Sequence, residues 1–530
     1  MRAVRYERCE SVIVFRDDFD MQVVVGKRRG TGDVEFTDVI RGCKQASSVL
    51  IERSNRLERI PSRYHNLCLS DWFARGVDNR AADIHCCAAD RARDYDKLAN
   101  DPLERCHGRI QPFLIRETET ILNGVSSVSV RNVILICLVF CLPAIADDWP
   151  RWRGPNLNGI SNEVNWNHDW KKHSPKAAWK VNVGTGFSSV TVAGGRAYTI
   201  GNSDEHDTVY CLDTESGRVV WQHRYPCPLE AKFFPGGPTS TPTIDGDSVY
   251  AISRHGDVFR LNAATGKVIW SRDLDDEVDA RIPGWGFAGS PLVHENLVVL
   301  NVGDSGMVLD KRTGTTVWSS MNKDAGYSTP LPYQHRGEWY AILGSAKSYV
   351  AVRIRDGEEL WRHRWLTRYG VNAADPILAD GHAFISTGYG KGATLLNIAQ
   401  GEPVQVWKQK TIRSQMNAGI KIGDHVYGFD GDTGTRVTLR CIDFNTGDVK
   451  WQVEDVGSGG LTAAGDKLIV LTESGKLMVG VASPERFQPI GEYQAIDGKC
   501  WSVPVLANGR IYCRNADGDV VCVDVRRATD

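Results

Sequence analysis

From about residue 177 onward, apolar runs of four to six residues alternate with short turns rich in Gly and Asp. Ser240 to Ile244 is followed by the turn Asp245-Gly246-Asp247 and a second run, Ser248 to Ser253. Arg254-His255-Gly256-Asp257 then leads into Val258 to Asn262, and Ala263 to Gly266 turns into Lys267 to Trp270. Gly and Asp at these tips supply the positive-φ and side-chain-capped conformations that tight hairpins require. The pattern predicts four antiparallel strands per unit.

The unit repeats. Asp/Asn-x-x-Thr/Ser-Gly-x-x-x-Trp occurs at Asp213–Trp221, Asn262–Trp270, Asp310–Trp318 and Asp443–Trp451, with weaker copies ending at Trp361 and Trp407. Four strands at a period in the forties describe a propeller blade. One blade cannot cover its own faces, so the recurring indoles Trp179, Trp221, Trp270, Trp318, Trp361, Trp407 and Trp451 are expected to be wedges between sheets. A seventh unit, Gly457 to Gln494, lacks the Trp. The eighth starts at Trp501-Ser502-Val503-Pro504 and stops after Val523-Asp524, without an outer strand. Ala178-Trp179-Lys180-Val181 supplies that strand from the other end, and closure removes exposed sheet edges. The expectation is an all-β, eight-bladed propeller over 177–526, preceded by a lead-in at 147–176, with a central funnel.

Upstream the character changes. Residues 1–130 hold 18 Arg against 3 Lys, one Trp and no sustained periodicity. Arg131-Asn132, the apolar run Val133 to Leu142 and Ala144-Ile145-Ala146 then read as a secretory signal peptide over 125–146, cleaved after Ala146. The apolar run is too short for the ~20 residues of a spanning helix. Translation is therefore expected to begin near Val125, Val128 or Val130. Residues 1–124 would then be an upstream extension or disordered segment, and the mature protein periplasmic or secreted, without a membrane span. The competing arrangement is an Arg-rich cytoplasmic domain followed by a signal anchor.

Composition narrows the function. Lys and Arg total 63 against 65 Asp and Glu, which argues against nucleic acid as a partner. Gly-x-Ser-x-Gly, His-Glu-x-x-His and phosphate-binding loops do not occur. The acidic turns Asn202 to Asp207 and Asp430 to Thr433 lack calcium-loop spacing, so no metal site is expected.

The Thr-Gly-x-x-x-Trp ends and the strand starts Ser290-Pro291, Ser328-Thr329-Pro330 and Ser502-Val503-Pro504 resemble the PQQ-like repeat. That repeat is the blade unit of pyrroloquinoline-quinone dehydrogenases and of a non-catalytic subunit of the outer-membrane barrel-assembly machinery. Asp148-Trp149-Pro150-Arg151-Trp152-Arg153-Gly154-Pro155 looks like the preface of secreted bacterial members. For the dehydrogenases the resemblance implies a quinone (PQQ) between a Trp and a disulfide of adjacent Cys, with calcium held by Glu and Asn beside a catalytic Asp. The adjacent pair in this chain, Cys86-Cys87, lies upstream of the propeller. No catalytic residue carries over, and a quinoprotein dehydrogenase is the alternative to a binding or scaffolding module.

Chain direction places blade-to-blade connections and second-to-third-strand turns on one rim. That rim collects Phe187, Arg254, His255, Trp285, Phe287, Tyr327, Lys347, Lys391, Gln415, Asn417, Lys476 and Trp501. Cations and aromatics around a concave mouth suit an anionic or sugar-like ligand, or a segment of an envelope protein, on a monomeric propeller. Cys211, Cys441 and Cys522 share one third-strand position and read as small buried residues. Cys227 and Cys500, in loops, are a candidate disulfide.

Overall fold

The structure, a computed structural model, describes residues 147–527 except 233, 278–280 and 321–324, together with the backbone of four strands further upstream. Those four, Ser11–Phe15, Met21–Arg29, Asp33–Gly42 and Val49–Glu52, pair in chain order as one antiparallel sheet, where the sequence pattern predicted no element. The chain divides after Pro143 into two units. The signal segment at 125–146 lies outside the described residues. Among the described residues no helix is long and apolar enough to cross a membrane.

The second unit is eight antiparallel sheets in sequence order, one per repeat. Blade 1 runs from Thr191–Ala193 to Val219–Pro226, and blade 2 from Thr243–Asp245 to Val268–Asp273. Blade 8 takes three strands from Val505–Ala507, Arg510–Arg514 and Asp519–Asp524; its fourth is Lys176–Asn182, with Trp179 opposite Cys522. Closure by the N-terminal strand is thus as predicted.

A bulge explains the repeated motif. In every blade the register between third and fourth strands slips once, in blade 2 between Arg260 and Leu261. The turn beyond it is held by the motif's first side chain: Asn262 Oδ1 accepts from Thr265 N (3.0 Å) and Thr265 Oγ1 (2.9 Å). Asp310 does the same for Thr313. The following Gly266 adopts φ +70°, and the indole of the preceding blade lies on it. A Cβ at Gly266 would come 2.5 Å from the Trp221 ring, and one at Gly314 2.7 Å from that of Trp270. Each indole then donates to the carbonyl after the motif's first residue: Trp179 to Thr214 (2.9 Å), Trp221 to Ala263 (2.8 Å), Trp270 to Lys311 (3.0 Å), Trp407 to Phe444 (3.0 Å). Trp318 and Trp451 donate likewise to Ile354 and Ser483. Trp361 is the exception: its buried Nε1 has no hydrogen-bond partner. Trp and Gly are therefore two halves of one inter-blade contact.

The Ser/Thr at the strand starts have a matching role at the hub. Ser189 N donates to Thr241 Oγ1, Thr241 N to Ser290 Oγ and Ser290 N to Thr329 Oγ1, each at 3.0 Å. Thr329 N continues the ring to Asp375 Oδ1 at 2.7 Å. Hydroxyls from successive blades thus satisfy backbone N–H groups that strand pairing leaves over.

The funnel is not a through-pore. Residues 147–163 enter from the face opposite the predicted rim and fill it. Trp149 pairs through its backbone with Val192 of blade 1 and is 1% exposed. Pro150 O accepts from Ile244 N of blade 2. Trp152 Nε1 donates to Asp375 Oδ2 (2.6 Å), and the buried Arg153 guanidinium donates to Leu157 O, Asn158 O and Gly419 O. Ile160–Ser161 adds in parallel to the innermost strand of blade 7, Gly460–Ala464, and Ser161 Oγ reaches Leu506 O of blade 8. The lead-in is a plug.

Candidate functional site

The rim of blade connections lies on the other face, and its aromatics fall into two groups. Phe187 and Trp501, from the connections into blades 1 and 8, stack with centroids 5.0 Å apart; Phe234 joins Phe187 at 5.9 Å. Trp501 is fixed by its Nε1, which donates to Glu473 Oε1 at 2.9 Å, and Lys499 lies over its ring. The second group spans blades 3 to 6. Trp285 meets Tyr327 edge-on at 6.1 Å, Tyr369 meets Tyr389 at 5.3 Å, and Gln415 Nε2 donates to the Tyr389 hydroxyl at 3.1 Å. Asn417 ties the two groups by donating to Trp501 O (2.8 Å) and Gly459 O. Trp285, Tyr327, Phe187 and Trp501 are half-buried, and Tyr369 is 57% exposed. Burial pushes the Tyr327 hydroxyl up to about 12, so it stays a neutral donor.

The other predicted rim residues are placed differently. Phe287 is 2% exposed, inside the core between blades 2 and 3. Arg254 is also buried: its guanidinium donates to Leu229 O (2.9 Å), pairs with Glu230 (3.1 Å) and stacks on Phe234. His255 Nε2 lies 3.7 Å from the same Glu230. The loop after blade 1 folds over both, which periodicity does not reveal. Lys391 sits 4.6 Å over the Trp365 ring, its pKa lowered by burial and by neighbouring Lys408 and Arg364. Lys476 pairs with Glu492 at 3.5 Å, and Lys347 is exposed on the blade 4 turn. The cations are distributed over blades 2, 4, 5 and 7 rather than converging. Phe234, Tyr369 and Tyr389, on the same face, occur once each and carry no repeat signal, and Trp365 is buried beneath Lys391.

Beneath the rim, between blades 1 and 2, lies a buried polar cluster. Asp207 is fully buried; its Oδ1 accepts from Asn202 Nδ2 at 2.7 Å and its Oδ2 has no partner. Burial raises its pKa to about 6, against the pull of Asn202, Cys227 and Arg254. Because this lies above the ~3.9 of an unfolded Asp, stability is full below about pH 4 and is lost as pH rises through about 6. Asp207→Asn is expected to remove that loss, worth up to about 3 kcal/mol at pH 7. Urea midpoints of parent and variant at pH 4.5 and pH 7 read it; a difference independent of pH contradicts it. Cys227 beside this cluster and Cys500 in the blade 7–8 core are free buried thiols in separate cores, which corrects the disulfide expectation. Burial pushes Cys500 up to about 12, so neither is poised for chemistry.

Known proteins share this architecture. A family model described as outer membrane protein assembly factor BamB matches residues 207–453. BamB of Yersinia pestis is 23% identical over 378 residues, covering 66% of this chain and 88% of that protein. The tetrathionate hydrolase of Acidithiobacillus ferrooxidans is 24% identical over 232 residues, 40% of this chain and less than half (44%) of the hydrolase. The solved quinohemoprotein alcohol dehydrogenase of Comamonas testosteroni superposes with a TM-score of 0.53 at 14% identity, covering 72% of this chain and 81% of that one. The fold is an eight-bladed β-propeller, and the chain is similar to proteins built of PQQ-like repeats.

The fold shared with the quinohemoprotein alcohol dehydrogenase raises the question of the quinone. The described residues do not fit it. Among them no three His, Cys, Asp or Glu are grouped to hold a metal. The acidic turns are committed instead: Asp430 pairs with Arg413 (2.7 Å) and Arg440 (2.9 Å). At the hub Trp152 and Arg153 occupy the space beside Asp375.

Proposed function

We propose that the protein is an exported scaffold that holds an extended segment of a protein partner across its aromatic rim, in the periplasm or outside the cell. The supporting observation is the pair of half-exposed aromatic groups, Phe187/Trp501/Phe234 and Trp285/Tyr327/Tyr369/Tyr389, on the face of the blade connections. Large rigid rings on a concave surface are the composition of interface hot spots. The dispersed cations favour a polypeptide over a small anion, which needs convergent charge. The name of the BamB relatives, an assembly factor, fits a protein-handling role.

A photo-crosslinking amino acid at Tyr369 or Lys499 in the native envelope is expected to trap one discrete polypeptide. The double variant Trp285→Ser/Tyr327→Ser is expected to weaken that adduct at least tenfold, since each aromatic hot spot contributes about 2 kcal/mol or more. Equal labelling from Val404, on the outer edge of blade 5 and 64% exposed, overturns the rim as the binding surface.

A further inference from the structure

Blade 7 has no Trp in its fourth strand, and pairing shows which residue takes its place. In other blades the Trp stands opposite the last third-strand residue before the bulge: Trp221 opposite Cys211, Trp270 opposite Arg260. In blade 7 that residue is Val479, and opposite it stands Gly491. A Cβ at Gly491 would lie 2.7 Å from Trp170 Cβ, 3.0 Å from its Cγ and 3.2 Å from its Cδ2. Trp170, from the lead-in, is 4% exposed within the core shared by blades 7 and 8, among Val479, Cys513 and Val523.

The rest of the contact is rebuilt too. Elsewhere the indole N–H bonds the carbonyl just after the third strand of the next blade. In blade 8 that carbonyl belongs to Val525, and it accepts from Asn167 N at 2.6 Å; Trp170 Nε1 in turn donates to Asn167 O at 2.8 Å. Trp166 bridges to Arg526 beside it. Blade 8 has no turn between its third and fourth strands, because one ends at Asp524 and the other begins at Lys176. Residues 166–170 fill that gap.

We infer that residues 166–170 are a wedge supplied to the blade 7–8 seam in place of the missing Trp and turn, so that the ring is closed there by a removable segment. A seam held by an inserted strap opens locally before seams whose indoles belong to the blade itself. Removing the wedge should loosen blades 7 and 8 and leave blades 2 to 5 as they were.

The test is a reciprocal pair in the chain beginning at Asp147. Trp170→Gly is used because alanine would leave the obstructing Cβ. It is expected to lower the thermal midpoint by roughly 5–10 °C and to raise amide exchange at least tenfold in blades 7 and 8 alone. Gly491→Trp is expected to destabilise the parent, where two indoles compete for one site, and to restore Trp170→Gly, where the site is vacant. Gly491 does not have a positive φ, so the added side chain meets no backbone penalty. Exchange rising evenly around the ring, or Gly491→Trp having the same effect in both backgrounds, overturns the inference.

Discussion

Gly266→Ala should destabilise the propeller by about 2–5 kcal/mol although it adds one methyl group and removes nothing. Gly266 sits at φ +70°, a conformation that costs an L-residue about 1–2 kcal/mol. Its new Cβ would also stand 2.5 Å from a ring carbon of Trp221, backed by the blade 1–2 core, and overpacking of that kind costs about 1–3 kcal/mol. Gly246, in the first turn of the same blade, separates the two causes. It has φ +57° with nothing within 4 Å of a Cβ, so Gly246→Ala should show the backbone cost alone. Urea denaturation of both variants reads the difference. Equal losses would mean that the indole does not rest on the motif's glycine.

Asp375→Ala should cost about 3–5 kcal/mol, because it strands partners inside the hub. It removes the acceptor for Trp152 Nε1 and for Thr329 N, and the negative charge nearest buried Arg153. Burial lowers the pKa of Arg153 and raises that of Asp375, so each charge is held in the hub against its desolvation. The strand starts of blades 1 to 4 carry Ser or Thr where blade 5 carries this Asp. Arg153→Met combined with Asp375→Ser should therefore recover most of the loss, the hydroxyl restoring the ring while the charge pair is gone. A loss below about 1 kcal/mol for Asp375→Ala would mean that the lead-in is not anchored through the hub.

The ring was legible in the sequence because its contacts recur. One Trp, one Gly and one Asp or Asn per repeat report the same geometry many times, and the missing outer strand of blade 8 could be matched to Trp179. The lead-in is opposite in kind. Trp149, Trp152, Arg153 and Trp170 each make a single contact with a distant partner, so no period points to Val192, Asp375, Gly419 or Gly491. The rim was half legible. Chain direction placed Phe187, Trp285, Tyr327, Gln415, Asn417 and Trp501 on one face, and all six lie in blade-to-blade connections. It placed Arg254 and Phe287 there as well, but the segment around Leu229 and Glu230 binds Arg254, and Arg254 O accepts from Phe287 N. Exposure in a loop depends on where the next loop lies, and that is a tertiary fact.

Hydroxyl-radical footprinting of the chain from Asp147, read tryptophan by tryptophan, tests the wedges, the plug and the open rim in one measurement. Trp149, Trp166, Trp170, Trp361 and Trp365, each at most 4% exposed, should be the slowest to oxidise, with Trp221 and Trp270 close behind. Among the described tryptophans Trp339, 37% exposed, should oxidise fastest, and half-buried Trp285 faster than the buried ones. Oxidation of Trp149 and Trp170 as rapid as that of Trp285 would put the lead-in in solvent and leave the hub open.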